Sequence, residues 1–309
     1  CIEDPDEPKD PETPHFIPAY SQKVKASKEF QTFQFDHSFV LNSLKSSMEG
    51  YVFHNQPLDT DDLLEQTVKL FNSCKTSLEL FDMLHNMRAY DDSTYAHSLN
   101  VALICRRIGK WLKVDAATLD TLTLCGLLHD IGKLKIPDEI LNKPDKYTDE
   151  EFDLVKRHTK FGYELLKTLN IDPHIKKAAL LHHERCDGSG YPLKATQKDL
   201  DDFSMVVAIA DVYDAMTAAR SYRAPLCPFQ VIERFEQEGL QKYKPKFILT
   251  FLQHIASTYQ NNRVLLSNGQ SANIVMLNQQ HLARPIVQLN DNSCIDLSTR
   301  LDLHIQSIL

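Results

Sequence analysis

Residues 121–137 read TLTLCGLLHDIGKLKIP, and the fold turns on this run. Leu122, Leu124, Leu127 and Leu128 describe a helix too apolar for a surface, yet it ends in His129-Asp130. Polar residues that close a buried helix must be hydrogen-bonded, paired or metal-bound. A second run is built the same way: Ala178, Ala179, Leu180 and Leu181 lead into His182-His183. His97 stands at the start of an apolar helix, and Asp211 lies within the apolar run 206–212, where an unpaired carboxylate is expensive to bury.

Taken together, His97, His129, Asp130, His158, His182, His183 and Asp211 supply five imidazoles and two carboxylates. Their intervals are 32, 28, 24 and 28 residues (97→129, 130→158, 158→182, 183→211), about one helical hairpin each. Successive helices of a bundle can deliver such residues to one point. Seven ligands exceed the needs of one tetrahedral zinc. They suit two divalent metals bridged by a carboxylate. Imidazole and carboxylate without thiolate favour iron or manganese, with nickel, cobalt or zinc as alternatives, over magnesium.

Outward from these residues the patterns stay helical. Apolar periodicity predicts helices over 95–111, 116–129, 148–169, 173–183 and 203–219. Thr148-Asp149-Glu150-Glu151 opens the third of these as a capping box. Residues 184–202, rich in Gly, Asp, Pro and Lys, read as a loop. Upstream, Phe30, Phe33, Val40, Leu41 and Leu44 mark one helix, and Leu63, Leu64, Val68, Leu70 and Phe71 begin another that runs to Met87. Downstream, 263–266 and 272–276 are strand-like around Asn268-Gly269, a strong hairpin signal, and 285–289 reads as a third strand. The expected organisation is an acidic, proline-rich linker over 1–27, a helical lead-in over 28–91, a catalytic helical domain over 92–261 and a small antiparallel β appendage over 262–309.

Composition agrees with a globular protein: of 309 residues, 42% are hydrophobic and 25% charged. No apolar stretch approaches a membrane span. The net charge of −8, with no Lys/Arg block, argues against a DNA or polymeric RNA partner. Seven scattered cysteines without a C-x-x-C suit a reducing cytoplasm better than a disulfide framework. The chain starts at Cys1 with no signal-peptide pattern, which reads as a piece of a longer protein.

The motifs resemble one family. His129-Asp130-Ile131-Gly132-Lys133 is similar to the HD signature of metal-dependent phosphohydrolases. The continuation of the chain is more specific: Ile136-Pro137-Asp138, His158, His182-His183-Glu184-Arg185, Asp187-Gly188-Ser189-Gly190-Tyr191-Pro192, Asp211-Val212-Tyr213-Asp214-Ala215 and Arg220-Ser221-Tyr222-Arg223. In order and spacing, residues 92–225 resemble the HD-GYP family of bacterial cyclic dinucleotide phosphodiesterases. The resemblance implies a mainly α, HD-type helical bundle and the same seven metal ligands, with Asp130 bridging and catalytic. It implies that Lys133 contacts phosphate in catalysis, that Asp214, Arg220 and Arg223 lie near bound nucleotide, and that diguanylate cyclase (GGDEF) domains are partners. Some members carry a Glu four residues before the first metal histidine, which helps to hold a third metal; Ser93 stands there, so two metals are expected. The implied substrate is cyclic di-GMP, 3′,3′-cyclic GMP-AMP or both, opened to the linear dinucleotide, with a second hydrolysis to mononucleotides as an open alternative. The rival readings are an HD phosphohydrolase of another nucleotide and a catalytically weak sensor or GGDEF-interaction module; a homodimer is an open alternative.

Overall fold

Residues 19–87, 93–143, 145–218 and 226–309 are described by the structure, a computed structural model. The helices are α1 (Ala19–Ala26), α2 (Lys28–His54), α3 (Thr60–Ser73), α4 (Ser77–Met87), α5 (Thr94–Trp111), α6 (Ala116–Leu128), α7 (Asp138–Leu141), α8 (Asp149–Lys156), α9 (His158–Leu166), α10 (Pro173–Leu181), α11 (Asp202–Thr217), α12 (Pro228–Lys242) and α13 (Pro245–Thr258). A 3-10 turn, Ile131–Lys135, follows α6.

The bundle centres on α5, α6, α10 and α11, which pack on one another. Helix α11 is buried almost throughout, as its unbroken apolar run requires, and Asp211 and Asp214 are carried inside with it. The turn after α6 lies against α9 so closely that a Cβ on Gly132 would sit 2.0 Å from the His158 carbonyl oxygen. Glycine there is what lets the His129-Asp130 turn reach His158.

The lead-in forms the expected stripe, with Phe30, Phe33, Val40, Leu41, Leu44 and Met48 buried along α2. Two expectations are corrected. The segment 63–87 is two helices, because Cys74 is extended and Thr76 Oγ1 accepts from Glu79 N at 3.1 Å to start a new one. Within the expected linker, α1 docks on α4 through Tyr20, whose hydroxyl donates to Asp82 at 2.6 Å; burial pushes the Asp82 carboxyl up to about 6. The capping box forms as expected: Thr148 Oγ1 accepts from Glu151 N, and Glu151 accepts from Thr148 N at 2.8 Å. The helix it opens breaks at Arg157 before resuming as α9.

The tail is a five-stranded antiparallel sheet in the order β4-β3-β2-β1-β5: β1 (Arg263–Leu266), β2 (Ser271–Met276), β3 (Ile286–Leu289), β4 (Cys294–Asp296) and β5 (Ile305–Ile308). Asn268-Gly269 makes the expected turn, with Gly269 at φ 83°. Strands β4 and β5 are not among the three strands read from the sequence: Cys294–Asp296 is only 3 residues long, and Ile305–Ile308 has no hairpin signal beside it. The sheet is tied to α12 by Arg284, whose guanidinium lies 2.7 Å from Glu233. Among the described residues no helix is long and apolar enough to cross a membrane.

Candidate metal centre

The structure brings all seven of the expected residues to one place. Asp130, His158, His182 and His183 offer ligand atoms within 4.8 Å of one another, and so do His97, His129 and Asp211. Each arrives where the sequence pattern put it. His129 and His182 cap the C-termini of α6 and α10, His97 sits in the first turn of α5, His158 opens α9, and Asp211 lies inside α11.

Asp130 stands between the two groups. Its Oδ1 faces His158 Nε2 at 3.4 Å and His182 Nε2 at 3.7 Å. Its Oδ2 faces His129 Nε2 at 3.2 Å and His97 Nε2 at 3.7 Å. Asp211 also spans them, with Oδ1 3.0 Å from His97 Nε2 and Oδ2 3.8 Å from His183 Nδ1.

The imidazoles are oriented by the backbone. His129 Nδ1 lies 2.7 Å from Gly126 O, His158 Nδ1 2.6 Å from Val155 O and His182 Nδ1 2.9 Å from Ala178 O. A carbonyl only accepts, so each Nδ1 carries the proton and each Nε2 turns a lone pair to the centre. His97 differs: its Nδ1 meets the Asp214 carboxylate at 2.8 Å.

These residues fit a cation. His158 Nε2 and His182 Nε2 face each other at 3.3 Å with no proton to share between them. That spacing is about the edge of a coordination shell with ~2.1 Å bonds. His129 Nε2, His183 Nε2 and Asp130 Oδ1 are buried without a hydrogen-bond partner among the described residues. Orphaned acceptors in such number are costly unless a cation binds them. The electrostatics agree. Burial alone would raise the Asp130 carboxyl, but His129 and Lys133 outweigh it and hold it well below the usual carboxylate range. Burial pushes His158 down to about 3 and lowers His182 and His183 too, which keeps them neutral and able to ligate. His97 moves the other way: burial opposes protonation, but Asp211 and Asp214 favour it.

The remaining candidates fall elsewhere. Lys133 Nζ is 2.7 Å from Asp130 Oδ2, and its side chain stays 12% exposed. Asp214 is buried behind His97, with 4% of its side chain exposed, so it offers little surface to a nucleotide. Arg220 and Arg223 lie outside the described residues. Ser93 caps α5, its Oγ accepting from Ala96 N at 3.2 Å. Cys186 turns its thiol toward Met205, 3.7 Å away. Glu184 and Tyr191, two side chains that sequence reasoning gave no role, complete the surroundings. Glu184 is fully buried, and the Tyr191 ring stacks on His183 with centroids 4.7 Å apart. Their sequence signal was their place in the motif, directly after His182-His183 and in the Gly-Tyr-Pro block.

The chain is similar to several known proteins. Residues 62–247 match the family model described as HD domain. A 3′3′-cGAMP-specific phosphodiesterase of Vibrio cholerae is 34% identical over 183 residues, which is 58% of this chain and 35% of that protein. A cyclic di-GMP phosphodiesterase of Pseudomonas aeruginosa is 32% identical over 207 residues, 67% of this chain and 50% of the relative. One of Thermotoga maritima is 35% identical over 178 residues, 57% of this chain and 48% of its own length. The chain thus spans half or less of the length of these relatives. Among solved structures, an HDG"Y"P protein from Bdellovibrio bacteriovorus superposes with a TM-score of 0.51 at 18% identity, covering 76% of this chain and 78% of that one, which shows a shared fold. With the HD pair at its centre, the chain belongs to the HD-domain family.

Proposed function

We propose that this chain carries the catalytic part of a metal-dependent phosphodiesterase that opens a bacterial cyclic dinucleotide, cyclic di-GMP or 3′,3′-cyclic GMP-AMP, to its linear form. The observation that carries the reading is Asp130, buried between two groups of ligands with one oxygen turned to each. The relatives named for both dinucleotides support the substrate class.

In this reading His158, His182, His183 and Asp130 would hold one divalent ion, and His97, His129 and Asp211 would hold a second, with Asp130 within reach of both. When bound, such a pair supplies a water activated at neutral pH and a clamp on a phosphoryl oxygen. Hydrolysis then adds water across one P–O3′ bond, leaving a 5′-phosphate and a 3′-hydroxyl. The chain's own work is positional. Three backbone carbonyls fix the imidazole tautomers before substrate arrives. The buried walls exclude bulk water, which strengthens every charge interaction inside. Lys133, partly open and beside Asp130, meets the negative charge that develops on the phosphoryl oxygens.

The test is anaerobic purification, elemental analysis, and turnover of both dinucleotides side by side. Two ions per chain and a linear product are expected, and iron or manganese is the expected metal. Lys133→Ala should keep both ions and slow turnover about 10²-fold, the scale of one lost charge contact in the transition state. A metal-loaded chain that hydrolyses neither dinucleotide overturns the reading.

A further inference from the structure

Glu184 follows the paired histidines, is fully buried, and touches no cation in any ion pair among the described residues. A buried carboxylate without a cation must be satisfied by hydrogen-bond donors. Its donors here are backbone amides. Leu193 N donates to Oε1 at 2.6 Å, and Ala195 N donates to Oε2 at 3.0 Å. Both oxygens are therefore spent on one segment of the loop after the paired histidines.

The segment is drawn in tightly. A Cβ on Gly190 would lie 2.4 Å from Glu184 Cα and 2.5 Å from the His183 carbonyl oxygen, so only glycine allows this approach. Tyr191 N then donates to His183 O at 3.3 Å. The Tyr191 ring comes to rest on the His183 ring, 4.7 Å between centroids and 27° between planes. Its hydroxyl is buried and finds no hydrogen-bond partner among the described residues. A buried tyrosine hydroxyl normally has one.

We propose that Glu184 is a positioning residue: its carboxylate ties residues 193–195 back onto the His182-His183 turn, and that tie seats Tyr191 on His183, orienting this ligand and leaving the tyrosine hydroxyl for an oxygen of the centre's occupant. Glu184 acts through Tyr191 and touches no reacting atom. The tie rests on the reading of the seven residues as a metal centre.

The experiment uses the full chain with manganese as the probe. Outer partners of metal ligands typically set affinity by about 10–100-fold. Tyr191→Ala and Glu184→Gln should each weaken manganese binding about tenfold, because the glutamine amide turns an NH₂ toward an amide that needs an acceptor. The double variant should lose no more than either alone, since both remove one device. Tyr191→Phe keeps the ring and should hold manganese within about twofold of the wild type, while turnover of the loaded enzyme falls. Trypsin should cut after exposed Lys194 faster in Glu184→Gln than in the wild type. Gly190→Ala should reproduce the Glu184→Gln pattern, and serves if that variant fails to fold. Additive losses in the double variant, or wild-type manganese affinity in Glu184→Gln, overturn the tie. A wild-type chain that binds no divalent ion overturns the metal reading instead; cleavage at Lys194 unchanged by Glu184→Gln then overturns the tie independently.

Discussion

His129, His158 and His182 hang from backbone carbonyls three or four residues back, whereas His97 is held by a side chain from another helix, Asp214 on α11. His97 is thus oriented by different means from its neighbour His129 and from the pair across the centre. A carbonyl one turn back comes with the helix and tolerates any side chain at that position. A carboxylate is a residue choice, and it makes its imidazole more basic as well as orienting it. The half around His158 is sealed, with no exposure at His158 or His182, while the His97 side chain is 14% exposed. The group around His158 is therefore nearly closed to solvent, and the other opens only at His97, since His129 has no exposure.

Asp130 is where that division ends, so its loss should have the largest effect. Asp130→Ala removes an oxygen from each half at once. Both ions and all turnover should disappear while far-ultraviolet circular dichroism stays helical. Retention of one ion at full occupancy would show that the halves are independent.

A smaller effect is expected from Asp214→Asn, which keeps the shape of the side chain and removes its charge. Affinity should fall about tenfold at the His97 half alone. A metal titration should then separate into one weakened step and one unchanged step. Equal weakening of both would erase the contrast between carbonyl-held and carboxylate-held histidines.

The smallest effect concerns pH in the metal-free chain. His158, His182 and His183 are held neutral by burial, with His158 pushed down to about 3. Between that value and the ordinary histidine pKa of about 6.5 the unfolded chain binds more protons than the folded one, so stability rises with pH there. Their contribution is intact above about 6.5 and is lost as pH falls. His97 has the opposite sign: its raised pKa gives stability at low pH that is lost as pH rises. Three groups oppose one, so the urea midpoint should drop from pH 7.5 to pH 5, and His97→Ala should steepen the drop. A midpoint that rises on acidification would mean that the His97 half dominates.

Helix content was readable because the apolar stripes are long. The stripe on α2 and the capping box at Thr148 both appear where periodicity and capping chemistry put them. The errors came from local signals weaker than the pattern around them. Thr76 and Glu79 are spaced as a helix start, but the apolar positions on either side run through them, so two helices read as one. Strands β4 and β5 gain their stability from neighbours in the sheet, and short runs carry no period of their own.

The seven candidate ligands were legible for a different reason. A helix of leucines or alanines that ends in histidines contradicts the cost of burying polar groups, and the contradiction repeats at hairpin spacing. That much is a property of the sequence: residue types, order and the number of groups able to ligate a metal. Only the tertiary structure decided how they divide. The allotment of one Asp130 oxygen to each half, the place of Asp214 behind His97 and the tie from Glu184 to residues 193–195 all depend on distances between segments brought together by folding. Spacing along a sequence says which residues can meet at a point. It carries no information about which atom of a carboxylate faces which neighbour, because that is set by how α5, α6, α9, α10 and α11 pack.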